Sequence, residues 1–99
     1  MDEVMLTFYC SPADADTLAV TVKAQSGQPV HLRRETVYGR DFGDARVAEQ
    51  VAGALDRAAL EVVTPRAQAD ALVTAVAQAR RAQPVRWMMT PVLARGRLP

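Results

Sequence analysis

The sequence predicts a single α+β domain over residues 1–99, in which a β-α-β unit occurs twice. Three observations lead to this prediction. The length of 99 residues fits one hydrophobic core. Two short apolar segments, rich in β-branched and aromatic residues, close with Ser-Pro or Thr-Pro. Each is followed by a stretch with helical periodicity and then by a second strand-like segment.

The first unit starts with the strand candidate VMLTFYCSP at residues 4–12. The dipeptide Ser11-Pro12 predicts the start of a helix, since serine is a good N-cap and the first helical position tolerates proline. The apolar face of this helix consists of Leu18, Ala19 and Val22. Ser26-Gly27 supplies a C-terminal stop, and the segment PVHLRRETVY at residues 29–38 is the next strand candidate.

The second unit repeats this order. The apolar segment AALEVVTP at residues 58–65 closes with Thr64-Pro65, again a predicted helix start. The helix that follows has an apolar stripe made of Ala69, Leu72, Val73 and Val76. It ends near Arg80-Arg81, and VRWMMTPVL at residues 85–93 is the last strand candidate. The order βαββαβ is the ferredoxin-like pattern, an antiparallel sheet with both helices on one face.

The strand candidates are apolar on both faces. In the first strand Val4, Leu6 and Phe8 alternate with Met5 and Tyr9. Two helices can cover only one face of the sheet, and a large exposed apolar face marks an interaction surface. The pattern therefore predicts an oligomer.

Between the second and third strands lies an insert, VYGRDFGDARVAEQVAG, at residues 37–53. Its glycines match neither the P-loop spacing nor the dinucleotide-binding spacing. We expect mobility from Arg33 to about Asp44, and a short helix from there to Leu55 because apolar residues recur every four positions. The insert is either a solvated loop or a loop that binds a partner or ligand. The residues that would contact a partner are Tyr38, Phe42, Arg46 and Glu49.

Three motifs carry a resemblance to a known family: LTFYCSP at 6–12, AEQVAG at 48–53 and WMMTPVLARGRL at 87–98. With the long insert, they resemble the PII-like superfamily of trimeric signalling proteins. The closer resemblance is to a branch of unknown function that is often encoded beside heavy-metal efflux pumps of the resistance-nodulation-division type. The resemblance implies a PII-like homotrimer in which residues 37–53 take the place of the T-loop, the element that contacts partners.

The resemblance also implies ligand sites in the clefts between subunits, where PII relatives bind adenine nucleotides. The glycine-rich phosphate loop of PII is reduced here to Ala82-Gln83-Pro84, and the setting of the tyrosine that is modified in PII is not reproduced around Tyr38. We therefore expect weak ATP binding, with smaller anions or ADP-like ligands preferred. The candidate ligand-binding residues are Gly39, Arg40, Arg86, Arg95 and Arg97. The arginines among them fit an anion because no acidic residue follows Asp70.

Metal binding is the alternative, as in the CutA group of metal-tolerance proteins, which shares the fold. Cys10 and His31 are the candidate ligands for copper or zinc. Met88 and Met89 are adjacent on a strand and point to opposite faces, which favours packing roles. No Cys-x-x-Cys or His-x-x-x-His spacing is present.

Several function classes are disfavoured. A net charge of +1 gives no general attraction to nucleic acid or anionic lipid. No secretory signal or membrane-spanning run is recognisable, and one cysteine cannot form an internal disulfide, so we expect a cytoplasmic protein. No nucleophile–base pair or cofactor fingerprint is present. The sequence thus predicts a non-enzymatic regulatory or sensor protein, with itself and a membrane efflux or transport protein as partners.

Overall fold

The computed structural model describes residues 2–39, 54–81 and 83–99. It shows a four-stranded sheet in the order β2-β3-β1-β4, in which all neighbours are antiparallel. The elements are β1 (Glu3–Cys10), α1 (Ala15–Ser26), β2 (His31–Tyr38), β3 (Ala54–Pro65), α2 (Arg66–Ala79) and β4 (Arg86–Val92). The α+β fold class expected from the sequence is confirmed.

β1 is a central strand, and its side chains alternate as predicted. Val4, Leu6 and Phe8 are buried on the face that the helices cover, and Met5 and Tyr9 are half-buried on the other face. Antiparallel pairing places Leu6 opposite both Val62 and Met89, and places Phe8 opposite Leu60 and Trp87. The core lies between this face and the helices.

Both helices bury the apolar stripes that the sequence predicts. Leu18 and Val22 of α1 and Leu72 and Val76 of α2 are almost fully buried in one cluster with β1 and β3. Ala19 and Val73 pack against the same cluster from its margin. At about 25 cal/mol per Å² of apolar surface, each fully buried leucine or valine stabilises the fold by about 1.5–3 kcal/mol.

The helix ends are only partly as predicted. Gly27 ends α1 with φ of 67°, the left-handed conformation that glycine adopts without strain, so this stop signal is confirmed. Ser11 instead precedes a single 3-10 turn, Pro12–Asp14, without a capping side-chain bond, and α1 starts at Ala15.

The predicted cap at Thr64 is wrong. Thr64 pairs with Val4 inside the sheet and its side chain is fully buried, so its hydroxyl is not at a helix end. Pro65 is the last residue of β3 and the N-cap of α2, which begins at Arg66.

β3 is four residues longer at its start than the sequence predicts, and it extends past β1. Residues 35–38 of β2 pair with residues 54–57 of β3, whereas β1 pairs with β3 only from Ala58 onward. We call the two-stranded segment formed by residues 35–38 and 54–57 the ribbon. Leu55 is therefore a strand residue and not the end of a helix, so that part of the prediction is wrong. The rest of the predicted helix lies outside the described residues.

The expectation of mobility from Arg33 onward is also wrong for residues 33–38, because these residues form β2 and pair with β3 along their whole length. Tertiary pairing outweighs the polar, charged character of this strand. The remainder of the expected mobile segment, apart from Gly39, lies outside the described residues. Within the described part of the chain, no helix is long and apolar enough to cross a membrane.

Candidate functional site

His31 and Arg86 lie on the sheet face opposite the helices, which we call the open face. At its centre Thr7 and Ala59 are already buried. Met88, which pairs with Thr7, is half exposed on this face. The middle of the open face is therefore mixed: Ala59 and Met88 are apolar, and Thr7 and its cross-strand partner Glu61 are polar.

Charged side chains occupy the open face toward β2. The guanidinium of Arg33 forms an ion pair with Glu61, and its Nε lies 4.0 Å from Oε2 of Glu35. Glu35 pairs across the strands with Arg57. The other carboxylate oxygen of Glu35, Oε1, is buried and has no hydrogen-bond partner within the described part of the chain. A buried polar atom without a partner is costly, so this oxygen marks a place where a donor from outside the chain would be stabilising.

The candidate ligand residues are divided between the two ends of the sheet. Arg86 is the first residue of β4 and pairs with Tyr9, whereas Arg95 and Arg97 follow the other end of β4. The seven residues of β4 separate these positions by about 20 Å, since a strand rises about 3.3 Å per residue. Gly39 follows β2, at the same end as Arg86 but at the opposite edge of the sheet.

One chain therefore does not bring Gly39, Arg86 and Arg95 around a single small ligand. Arg40 lies outside the described residues. A site that includes both groups of arginines has to combine different copies of the chain.

Arg95 does not match the expectation of unopposed arginines in the terminal segment. Its Nε and Nη2 donate to the two carboxylate oxygens of Glu3, at 2.9 and 2.7 Å. The hydrogen bond from Arg95 lowers the pKa of Glu3, and the same contact raises the pKa of Arg95. Only Arg97 of this terminal pair stays exposed without an ion-pair partner among the described residues.

A groove of about 580 Å³ lies beside this contact, between the start of β2 and the terminal segment. Met5 and Val63 provide apolar surface, and the polar side chains around it are those of His31, Arg33, Glu61 and Arg95. Both arginines are already compensated by glutamates. The groove is thus close to electrically neutral and suits a mixed polar and apolar segment better than a free anion.

The candidate metal ligands Cys10 and His31 lie on opposite faces of the sheet. Cys10 belongs to the buried core beneath the helices, whereas His31 pairs with Glu61 at the border of the open face. Burial, followed by the nearby charge of Asp14, raises the pKa of the Cys10 thiol to about 11. No group of three or more histidine, cysteine or acidic side chains suited to a metal occurs among residues 2–39, 54–81 and 83–99.

Met88 and Met89 also divide between the faces, as the sequence predicts. Met89 packs against the core, and Met88 is half exposed on the open face.

The predicted partner loop begins at the end of the ribbon. Tyr38 is the last residue of β2 and is 78% exposed, in a position to contact another molecule. Phe42, Arg46 and Glu49, the other residues expected in the partner contact, lie outside the described residues.

Sequence reasoning missed three acidic residues. Glu3 binds Arg95 from the other end of the chain, and Glu35 has a buried, unpaired oxygen. Asp14 is 4% exposed, with Oδ1 3.7 Å from Nε of Arg81 and Oδ2 without a partner among the described residues. Asp14 stands three residues after Ser11, a spacing that is typical of a capping box and gives no indication of burial.

The match between the chain and a protein family covers residues 1–99. The chain belongs to the DUF3240 family. Members of this family are described as proteins of unknown function. No sequence among curated proteins matches the chain at a significant level.

Solved structures show the same fold. A crystal structure of a DUF3240 protein from Shewanella baltica has a TM-score of 0.77 and 21% identity, over 98% of this chain and 97% of that one. CutA from Synechococcus elongatus has a TM-score of 0.66 and 17% identity, over 90% and 75% of the two chains. A PII-like signalling protein from Thermus thermophilus has a TM-score of 0.63 and 14% identity, over 93% and 88%. Identities this low establish likeness of fold and not of function.

Proposed function

We propose that this DUF3240 chain is a non-enzymatic regulatory or sensor protein that assembles as a PII-like homotrimer. The strand order β2-β3-β1-β4, with both helices packed on one face, supports a ferredoxin-like domain. The observation that carries the proposal is the open face. Met5, Ala59 and Met88 give it apolar surface beside the polar Thr7, and α1 and α2 both pack on the opposite side. Closed rotational symmetry would cover this face in every copy.

A small effector binds at the clefts between copies in this proposal. The separation of Arg86 from Arg95 along β4 supports such a site, because a ligand that touches both needs them from different chains. Gly39 and Arg86 lie at opposite edges of one sheet, so the cleft would combine Gly39 with Arg40, Arg86, and Arg95 with Arg97 from different copies. Arginine donates in pairs to carboxylates and phosphates, so an adenine nucleotide or a smaller anion is the ligand class.

A partner protein binds through residues 37–53. The ribbon supports this role because the two strands that flank the insert continue past the end of β1. The exposed phenol of Tyr38 offers an apolar ring with a polar end, a common feature of contact surfaces. The proposed partner is a membrane efflux or transport protein, with this chain acting in the cytoplasm.

The competing proposal is a metal-binding role like that of the CutA group, supported by the likeness of fold to CutA. The opposite placement of Cys10 and His31 restricts it. Any site would have to use His31 from several copies, since Cys10 is buried beneath the helices. Zinc and cuprous copper are the ions to test.

Two measurements test the proposal. Light scattering after gel filtration should give about three times the chain mass of 10.8 kDa, and a monomer at micromolar concentration would refute the assembly. A thermal-shift panel should then find a ligand among ADP, ATP, pyrophosphate, zinc and cuprous ions. A ligand at a hundredfold excess over its Kd stabilises the protein by about 2.7 kcal/mol.

Titration calorimetry then locates the site. Arg95→Ala/Arg97→Ala should weaken binding of the anion found by the panel, and Lys23→Ala, a cation removed from the helix layer, is the control. Equal affinity in all three proteins would place the ligand elsewhere. A response to metal alone, lost in His31→Ala, would favour the competing proposal.

A further inference from the structure

Every residue of the terminal segment after β4, residues 93–99, is exposed, and Arg95 binds Glu3. We call this segment the arm. Leu93 is 97% exposed and Leu98 is 93% exposed. Arg97 is exposed and has no ion-pair partner among the described residues. Two fully exposed leucines on one short segment are unusual for a surface that faces only water.

A second unpartnered feature is the outer edge of β2. The sheet order leaves β2 paired with β3 on one side only, so a row of backbone N–H and C=O groups faces outward. Seven of the eight residues of β2 are exposed, and Leu32 and Val37 are exposed by 42% and 38%. Edge strands of this kind accept an additional strand from another chain.

The two features fit one another in spacing. Leu32 and Val37 are five residues apart, as are Leu93 and Leu98. An odd spacing places the two members of each pair on opposite faces of an extended chain. When the arm runs antiparallel to β2, Leu93 can lie opposite Val37 while Leu98 lies opposite Leu32.

The same alignment matches charge. It places Arg95 directly opposite Glu35. It places Arg97 opposite Arg33 and diagonal to Glu35 on the same face, a separation that long side chains span. Arg33 is already compensated by Glu61. Within the described residues, Oε1 of Glu35 is buried without a donor, and the exposed Arg97 has no ion-pair partner. Arg95 stays with Glu3 and anchors the arm to its own chain.

We propose that the arm of one copy docks antiparallel along the β2 edge of a second copy, with Arg97 donating to Glu35. This inference rests on the proposed assembly of copies, and it specifies the segments that join them. It makes the proposed ligand cleft a composite of two chains, because Arg95 and Arg97 would reach the β2 of a neighbour.

The test is charge reversal followed by restoration. Sedimentation velocity over a concentration series would compare wild type with Glu35→Arg, Arg97→Glu and the double variant. Each single reversal should raise the concentration for half-dissociation about tenfold or more, because it removes a complementary pair and places like charges together. The double variant should return to within about threefold of wild type. Lys23→Glu, with the same change of charge on the helix layer, should leave dissociation unchanged.

Mixing distinguishes docking between copies from docking within a chain. An equal mixture of the two single variants contains intact arms on one protein and intact β2 edges on the other. Docking between copies predicts that the mixture assembles more tightly than either variant alone. If the mixture assembles no more tightly than the single variants, the inference is overturned. The arm would then fold onto the β2 of its own chain.

The failure of the inference differs from the failure of the proposed function. Met88→Glu introduces a charge at the centre of the open face and should dissociate the assembly whether or not the arm docks. Suppose that Met88→Glu dissociates the assembly while both charge-reversal variants assemble like wild type. That result would overturn arm docking, and the proposal of a trimer would stand. A monomeric wild type at micromolar concentration would overturn both. Circular dichroism checks each variant for folding, and Glu35→Gln replaces Glu35→Arg if the arginine variant does not fold.

Discussion

Replacement of Thr64 by valine should stabilise the protein. Thr64 lies in β3 opposite Val4, its side chain is fully buried, and its hydroxyl Oγ1 has no hydrogen-bond partner within the described residues. Valine has nearly the same volume and the same branching at Cβ, so it preserves the packing and the strand preference. The change removes only the hydroxyl.

The magnitude follows from the cost of burying that hydroxyl. A buried polar group without a partner costs about 1–3 kcal/mol in protein mutational data, and the lower end applies to a single hydroxyl. We therefore expect Thr64→Val to raise the free energy of unfolding by about 1 kcal/mol. In a domain of this size, 1 kcal/mol corresponds to an increase in Tm of about 4–8 °C.

The assay is urea unfolding followed by circular dichroism, with thermal unfolding in parallel. All proteins are compared at one protomer concentration, because the proposed assembly would make stability depend on concentration. Thr64→Ser is the matched control. It keeps the hydroxyl and removes a buried methyl group, so it should lower the free energy of unfolding by about 1 kcal/mol.

A loss of stability in Thr64→Val, comparable to that in Thr64→Ser, would refute the reasoning. It would mean that the Thr64 hydroxyl has a bound partner whose loss outweighs the relief of desolvation. An increase limited to Thr64→Val would support the interpretation that the hydroxyl is buried at a net cost.

Three further predictions concern single sites. Gly27→Ala should destabilise the protein by about 1 kcal/mol in urea unfolding, because φ of 67° strains any residue with a Cβ although no atom obstructs it; an unchanged midpoint would contradict this. The Cys10 thiol should react with a disulfide reagent at pH 8 far more slowly in the folded protein than in the urea-unfolded protein. The reason is that the thiol is fully buried and its pKa is raised to about 11. Equal reaction rates would contradict this burial. The pKa of Glu3 is lowered from 4.5 by Arg95, so stability from this pair is present above pH 4.5 and is lost as the pH falls below it. Arg95→Met should flatten that acid dependence of the urea midpoint, and an unchanged pH profile would show that the pair contributes nothing.

The fold could be predicted largely from the sequence because its signals are local. The alternation of Val4, Leu6 and Phe8 indicates which face of β1 is buried, and the stripe of α2 indicates which side packs. The left-handed stop at Gly27 is equally local, since it depends on one residue without a Cβ. Each of these signals spans fewer than about ten residues, which is the range over which periodicity is informative.

The site was less predictable because its contacts join distant parts of the chain. Arg95 and Glu3 are 92 residues apart, and no local spacing indicates that they meet. The absence of acidic residues after Asp70 therefore led to the wrong prediction that Arg95 has no acidic partner. The prediction that Leu55 ends a helix was wrong for a related reason. Its spacing from preceding apolar residues fits a helix, but pairing with Val37 in the ribbon places it in a strand.

The ribbon has a consequence for how readily the insert can be exchanged. Because residues 35–38 and 54–57 pair with one another beyond the reach of β1, a change at the far end of the ribbon alters no pairing of the central strand. Shortening the connection from residues 40–53 to four residues alters the entropy of loop closure by only about 1 kcal/mol. Recognition segments of different length and sequence can therefore be engineered between the same two strands while the pairing of the core stays unchanged.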